Sequence, residues 1–293
     1  MPPEPIRELR DLTRARTTAT RERGRLVLRL EKLLEDTGIK LSAVASDIMG
    51  VSGRAMLEAL IAGEHDPQLL AELAKRRLRD KIPELTEALT GRFRAHHAFL
   101  TLLHLDQYDQ LTAMIGQLDE RIEEAMAPFR GALDLLDTVP GINRAVAEVI
   151  IAETGGDMSR FPSARHLASW AGVCPGHHES AGRTKKTKVR PGNPYLKGAL
   201  GLAAFGAVRT KDTYLQARYK RLTARRGPLR ALVAVEHSII TAIWHMLADN
   251  IAYHDLGGTY FTPRDPERAT RRAINQLNQL GYTVTLNPIE DAA

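Results

Sequence analysis

The chain has 293 residues, 43% apolar but only 5% aromatic, and its 41 lysines and arginines against 35 acids leave a formal net charge of +6. That length asks for one large or two modest folding units, and a Leu-, Ala- and Arg-rich chain poor in aromatics favours helices over a β-sandwich. A single cysteine, Cys174, excludes an internal disulfide and a cysteine-rich zinc site, and Met1-Pro2-Pro3-Glu4-Pro5 is no signal peptide; with no apolar run read as long enough to span a membrane, a cytoplasmic protein with a polyanionic partner is expected.

Leu9, Leu12, Leu26, Leu30 and Leu33 recur at three- and four-residue steps and predict one helix from Ile6 to about Asp36. Eight arginines lie between Arg7 and Arg29; a solvated face and a nucleic-acid-facing edge account for them equally well. Residues 37–95 read as short helices punctuated by Gly38, Gly50, Gly53, Gly63, Pro67 and Pro83, with Asp66 as an N-cap before Pro67, and no motif there carries chemistry that can be named. From His96 to Ala127, Tyr108, Leu111, Ile115, Leu118, Ile122 and Ala125 form the seam of a coiled coil, with Pro128 marking its end or a kink. The seam suits a spacer or an oligomerisation arm, and packing within the chain competes with dimerisation. The expected organisation is mostly α: a helical region over 1–95, a long coiled-coil-like helix over 96–136, a compact helical domain over 137–256 and a tail over 257–293. The tail offers a helix from Pro266 to Leu280 and an extended piece, 282–286.

In the compact domain, Val139-Pro140-Gly141-Ile142-Asn143 precedes an apolar-periodic stretch and resembles a helix-hairpin-helix. The unpaired N–H groups that begin the second helix would hold a phosphate, with Gly141 and Asn143 at the turn. Asn143 stands where the motif carries a second glycine, and an ordinary helix–turn–helix corner is the competing explanation. Residues 163–172 read as a short helix with Leu167, Trp170 and Ala171 inward. A loop over 173–182 then presents Ser180 between small residues, with His177, His178 and Glu179 as proton acceptors by proximity alone. Arg183, Lys185, Lys186, Lys188, Arg190 and Lys197 come next, with no acid between Glu179 and Asp212, a pattern suited to neutralising phosphates. Asn193 and Pro194 open another helix, on which Gly198, Gly201 and Gly206 imply close packing. Eight cations from Arg209 to Arg230 extend the positive strip, with Tyr214 and Tyr219 interleaved. The closing helix, 229–251, carries Glu236 on its apolar stripe, where an ion pair with a strip arginine would satisfy it, and His237 on its flank.

Val139-Pro140-Gly141-Ile142, Phe161 through Trp170-Ala171-Gly172, Pro175, Glu179-Ser180, Gly182, and Gly192-Asn193 with Leu196 resemble the carboxy-terminal domain of the insertion-sequence-110 family of transposases (relatives 116 and 902). The upstream half is similar to that family's middle region. The resemblance implies a DNA transposase or recombinase, some members being directed by a structured RNA. It also implies that Ser180 attacks a phosphodiester and forms a transient phosphoserine link, with cations stabilising the phosphoryl charge. The family pairs this serine with an amino-terminal ribonuclease-H-like domain bearing acidic metal ligands. Nothing ahead of Arg7 supplies such a domain, so a truncated transposase is expected that binds no metal itself, magnesium entering only with the acidic domain. DNA, a guide RNA and a second copy held through the long helix are the expected partners. The alternative is a non-catalytic nucleic-acid-binding and oligomerisation module; a repair-type helix-hairpin-helix protein is a weaker third, because it leaves the serine loop unexplained.

Overall fold

The computed structural model describes residues 2–175, 179–180, 182–184, 189–262 and 266–287, with the side chains of Glu179, Ser180, Arg183, Thr184, Arg268 and Ala269 outside the description. The described residues are mostly helical, thirteen α-helices and one hairpin of two two-residue strands. They form two compact units, residues 11–125 and residues 1–10 with 126–293.

The unit over 11–125 takes most of α1 (Glu4–Thr37), then α2 (Leu41–Val44), α3 (Val51–Ile61), α4 (Pro67–Glu72), a 3-10 turn (Arg76–Lys81), α5 (Ile82–Ala88) and α6 (Ala95–Ala125). Thr13, Arg16, Ala19, Leu26, Leu30 and Leu34 form the buried stripe of α1; Thr101, Leu105, Ile115 and Ile122 form that of α6. Arg16 Nη1 donates to Asp119 Oδ1 at 2.8 Å, Arg23 Nη1 to the Thr112 hydroxyl at 3.4 Å, and the Arg23 guanidinium lies 5.6 Å from the Tyr108 ring centroid. Partner numbers fall along α6 as they rise along α1, so the helices run antiparallel. The heptad seam of α6 thus faces α1 of its own chain, with Ile115 and Ile122 buried. Leu30, Leu34 and Leu105 share their core with Met56, Leu57, Leu60, Leu70 and Leu85 of the short helices; each such side chain contributes about 1.5–3 kcal/mol on burial. Arg54 on α3 clasps Asp109 of α6 with two hydrogen bonds, 3.0 and 2.7 Å. Asp66 caps α4 through the Gln68 N–H, as its position before Pro67 predicts.

The long helix expected over 96–136 stops at Ala125. Pro128 lies in a 3-10 turn (Ala127–Phe129), where a residue without an N–H breaks the α-helical ladder. Beyond the turn stands a separate helix of the other unit, α7 (Arg130–Asp137). That unit continues with α8 (Arg144–Thr154), α9 (Ala164–Ala171), the hairpin β1 (Glu179–Ser180) and β2 (Arg183–Thr184), α10 (Pro194–Ala207), α11 (Tyr214–Arg226), α12 (Pro228–Asp249) and α13 (Pro266–Gln279). Helix α12 is its axis: Val235, Ile239, Ile240 and Ile243 are wholly buried, and α9, α10 and α11 pack on it. By length and composition α12 could cross a membrane, contrary to the expectation that no apolar run reaches that length. Its covered face is that of a core helix. Residues 253–262 fold back on α11, where Asp255 Oδ1 accepts from the Tyr214 and Gly257 N–H groups at 2.9 and 2.7 Å.

Candidate functional site

The α7–α8 corner is held by Val139 and Ile142, both buried. Gly141 has φ +88°, and a methyl added to it would lie 2.2 Å from the Ala203 carbonyl oxygen and 2.3 Å from the Ala207 nitrogen of α10. A side chain on Gly206 would in turn meet the Gly141 Cα at 2.8 Å. Helix α10 therefore lies directly on the turn, and that approach accounts for both glycines without a phosphate. Asn143 has φ −102°, so its tolerance of left-handed backbone is not used; it is an ordinary N-cap whose Oδ1 accepts from the Val146 N–H at 3.0 Å. One of the donors expected to hold a phosphate is filled by the chain itself.

The serine segment is a hairpin on a clamped neck, where the sequence suggested an open loop. Gly172 ends α9 with φ +76° and Gly192 precedes α10 with φ +60°. A methyl on Gly192 would stand 2.4 Å from the Ala171 carbonyl oxygen, and one on Gly172 would stand 2.8 Å from the Gly192 Cα. The two strands of the neck cross here with no room for a side chain. Pro175 then bridges to Val189, and Ser180 pairs with Arg183 across a two-residue connection in which Gly182 has φ +70°. Backbone geometry thus puts Ser180 at the hairpin tip and Arg183 opposite it. The Ser180 and Arg183 side chains, and all of His177, His178, Lys185, Lys186 and Lys188, lie outside the described residues.

Below the neck, a polar network that the sequence did not reveal fixes α10. The Asn193 side chain accepts from the Tyr195 and Leu196 N–H groups, each at 3.0 Å, and its Nδ2 donates to Glu153 Oε2 at 2.7 Å. Glu153 is fully buried at the end of α8 and also faces Arg10 at 3.5 Å, while Arg10 Nη2 donates to the Glu153 carbonyl at 3.0 Å. The only signal for this in the sequence was an acid inside an otherwise apolar stretch. Arg190 is exposed; its carbonyl accepts from Lys197 Nζ at 3.1 Å, which brings two of the predicted phosphate ligands to one place. Cys174 is half-buried and its thiol is pushed up by burial, as for a bystander. Trp170, expected inward, is 41% exposed and leans on Phe161 at 5.4 Å, because Leu167, Ala168 and Ala171 fill the inner face of α9.

Glu236 departs from its expected arginine pair. It is 6% exposed, its Oε2 has no hydrogen-bond partner among the described residues, and its nearest charge influence is Lys197. Burial raises its carboxyl above the usual range, Lys197 opposing. His237 beside it is held below the usual imidazole range by burial and by Arg218. On the strip, Arg221 sits 4.4 Å over the Phe261 ring and Tyr214 packs against Tyr260 and Phe261, so these groups are partly committed to the fold. The same holds for the arginines of α1, of which Arg10, Arg16 and Arg23 bind their own chain. Among the described residues no group of three or more His, Cys, Asp or Glu converges.

Residues 133–220 match the family described as Transposase IS116/IS110/IS902. The chain is 31% identical over 146 residues to an insertion element IS900 protein of 42 kDa from Mycobacterium paratuberculosis, covering 49% of this chain and 36% of the relative. It is 27% identical over 289 residues to an insertion element IS116 protein of 44.8 kDa from Streptomyces clavuligerus, covering 92% and 68%. A pilin gene-inverting protein of Moraxella bovis is 28% identical over 142 residues, 46% of this chain and 44% of that one. Against the IS900 protein the chain thus spans about a third of the relative's length.

Proposed function

From the match of residues 133–220 to the IS116/IS110/IS902 transposase family, we propose that the chain belongs to that family and works on DNA as an insertion-sequence transposase or site-specific recombinase with Ser180 as its nucleophile. One observation carries the reading. Within the family-matched segment, the neck closed by Gly172 and Gly192 carries a hairpin whose tip is Ser180, paired with Arg183. A clamped neck gives the backbone at Ser180 a defined place, as a nucleophile for a large substrate requires. In the step proposed, the Ser180 oxygen bonds to phosphorus, the bond to one DNA oxygen breaks, and the serine proton passes through a base to that leaving oxygen. Arg183, Lys185, Lys186, Lys188, Arg190 and Lys197 neutralise the phosphate as charge builds on its free oxygens. The domain bearing metal ligands is the source of any magnesium, and no part of the serine step is assigned to it.

With the family's ribonuclease-H-like domain supplied, Ser180→Ala should abolish both strand transfer and a covalent protein–DNA adduct caught on denaturing gels, with DNA affinity kept within about threefold. Retained transfer would discard the nucleophile. Gly141 and Asn143 keep only a secondary place in this proposal, as N-terminal neighbours of a helix that DNA could approach. A second reading, a non-catalytic binding and oligomerisation module, is favoured by one observation: the outward face of α6 exposes Phe99, Leu103 and Met114. A homo-oligomer through the long helix would use that face, since α1 covers the seam. DNA as substrate, a structured RNA partner and a cytoplasmic location complete the proposal.

A further inference from the structure

The unit over 11–125 contains a groove of about 1020 Å³ that the serine hairpin does not use. One wall is the 45–50 loop with the first turn of α3; the other is Lys75 and the adjoining 3-10 turn. Four cations line it, Lys75, Arg76, Arg77 and Lys81, all exposed, and none makes an ion pair among the described residues. Arg79, in the same turn, is neutralised by Glu72 at 3.2 Å and does not line the groove. The lone acid of the lining, Asp47, has its Oδ1 engaged by the Met49 N–H at 2.9 Å. Four exposed cations along one groove make it a favourable place for an anion.

The walls are firm. Ile48 is 1% exposed and anchors the loop, while a methyl on Gly53 would fall 2.4 Å from the Ile48 carbonyl oxygen, so the loop rests directly on α3. The Ser52 hydroxyl accepts from the Lys75 N–H at 2.9 Å and ties one wall to the other. Ala45, Val51 and Leu78 give the lining an apolar part beside the cations. An inorganic anion would have no use for that part, and a stiff duplex presents phosphates with its bases turned inward. An unstacked nucleotide fits both, with its phosphate on the cations and its base or sugar on the apolar surface.

We propose that this groove binds a single-stranded segment of nucleic acid, Arg76, Arg77 and Lys81 holding two or three consecutive phosphates. The assignment rests on the reading of the chain as a nucleic-acid protein and adds to it a second contact, remote in sequence from Ser180. Single-stranded RNA and single-stranded DNA share the recognising chemistry, and the test separates them. Fluorescence anisotropy of the full chain is recorded with labelled 20-nucleotide oligo-uridylate, oligo-thymidylate and a 20-base-pair duplex, from 0.1 to 1 M salt. In Arg77→Ala/Lys81→Ala the log–log salt slope for single strands should shrink by about 1.4, at roughly 0.7 per phosphate, so wild type loses about 25-fold more affinity across that range. Ser46→Lys adds a cation to the rim and should steepen the slope by about 0.7, a gain that misfolding cannot mimic. Loss with oligo-uridylate alone assigns the groove to RNA; equal loss with both strands makes it a general single-strand site. Wild-type binding with unchanged slopes in both variants, or loss confined to the duplex, overturns the groove and leaves the serine reading standing. No binding of any strand by wild type would overturn the nucleic-acid reading itself.

Discussion

Gly141→Ala separates two explanations of the α7–α8 corner. If the glycine serves a phosphate, alanine should weaken DNA binding and leave the free protein's stability nearly untouched. The structure assigns it to packing, and the cost can be worked out. Alanine must adopt φ near +88°, which for a residue with a Cβ costs about 1–2 kcal/mol. Its methyl must also fit 2.2 and 2.3 Å from two backbone atoms of α10, which cannot swing aside as a side-chain tip would. Such overpacking adds about 1–3 kcal/mol. Together the loss is about 2–5 kcal/mol, a large share of the roughly 5–15 kcal/mol that holds a domain folded. Urea denaturation of the ligand-free chain, monitored by circular dichroism at 222 nm, should show the midpoint falling accordingly. An unchanged midpoint with impaired DNA binding would refute the packing argument and restore the phosphate.

Glu236→Gln should stabilise the protein at neutral pH. A carboxyl raised in the folded state binds its proton more tightly there than in the unfolded chain, so its favourable contribution is complete at low pH and fades as pH rises from about 4.3 through the folded value. The stability of the variant relative to wild type, read from urea denaturation at each pH, should therefore climb between pH 4 and pH 8, the difference reaching about 1–3 kcal/mol; a flat difference would show that Glu236 has a partner. Glu153→Ala removes the acid between Arg10 and Asn193 and should cost about 2–4 kcal/mol in urea, less than a fully buried pair because Arg10 is 22% exposed. DNA binding by the wild-type chain should show a log–log salt slope of roughly −4 to −6, and Arg190→Ala/Lys197→Ala should reduce its magnitude by about 2. A slope near zero would take the cationic segment out of the interface.

Local physics made much of this molecule legible in the chain. The 34 residues of α1, the caps Asp66 and Asn193, each with proline next, and the helix break at Pro128 all depend on neighbours within a turn or two. The motif order around Gly141, Ser180 and Gly192 was enough to indicate the family. Tertiary structure decided what those residues do for one another. A seam of apolar residues on α6 cannot say whether its partner is α1 or a second copy, since either buries the same surface. A glycine cannot say whether it makes room for a phosphate or for a helix until α10 is seen lying on Gly141. Glu153, Glu236 and the cations at 75–81 lie far in sequence from the groups that give them meaning, and charge or burial is a property of the assembled surroundings, which no short window of sequence contains.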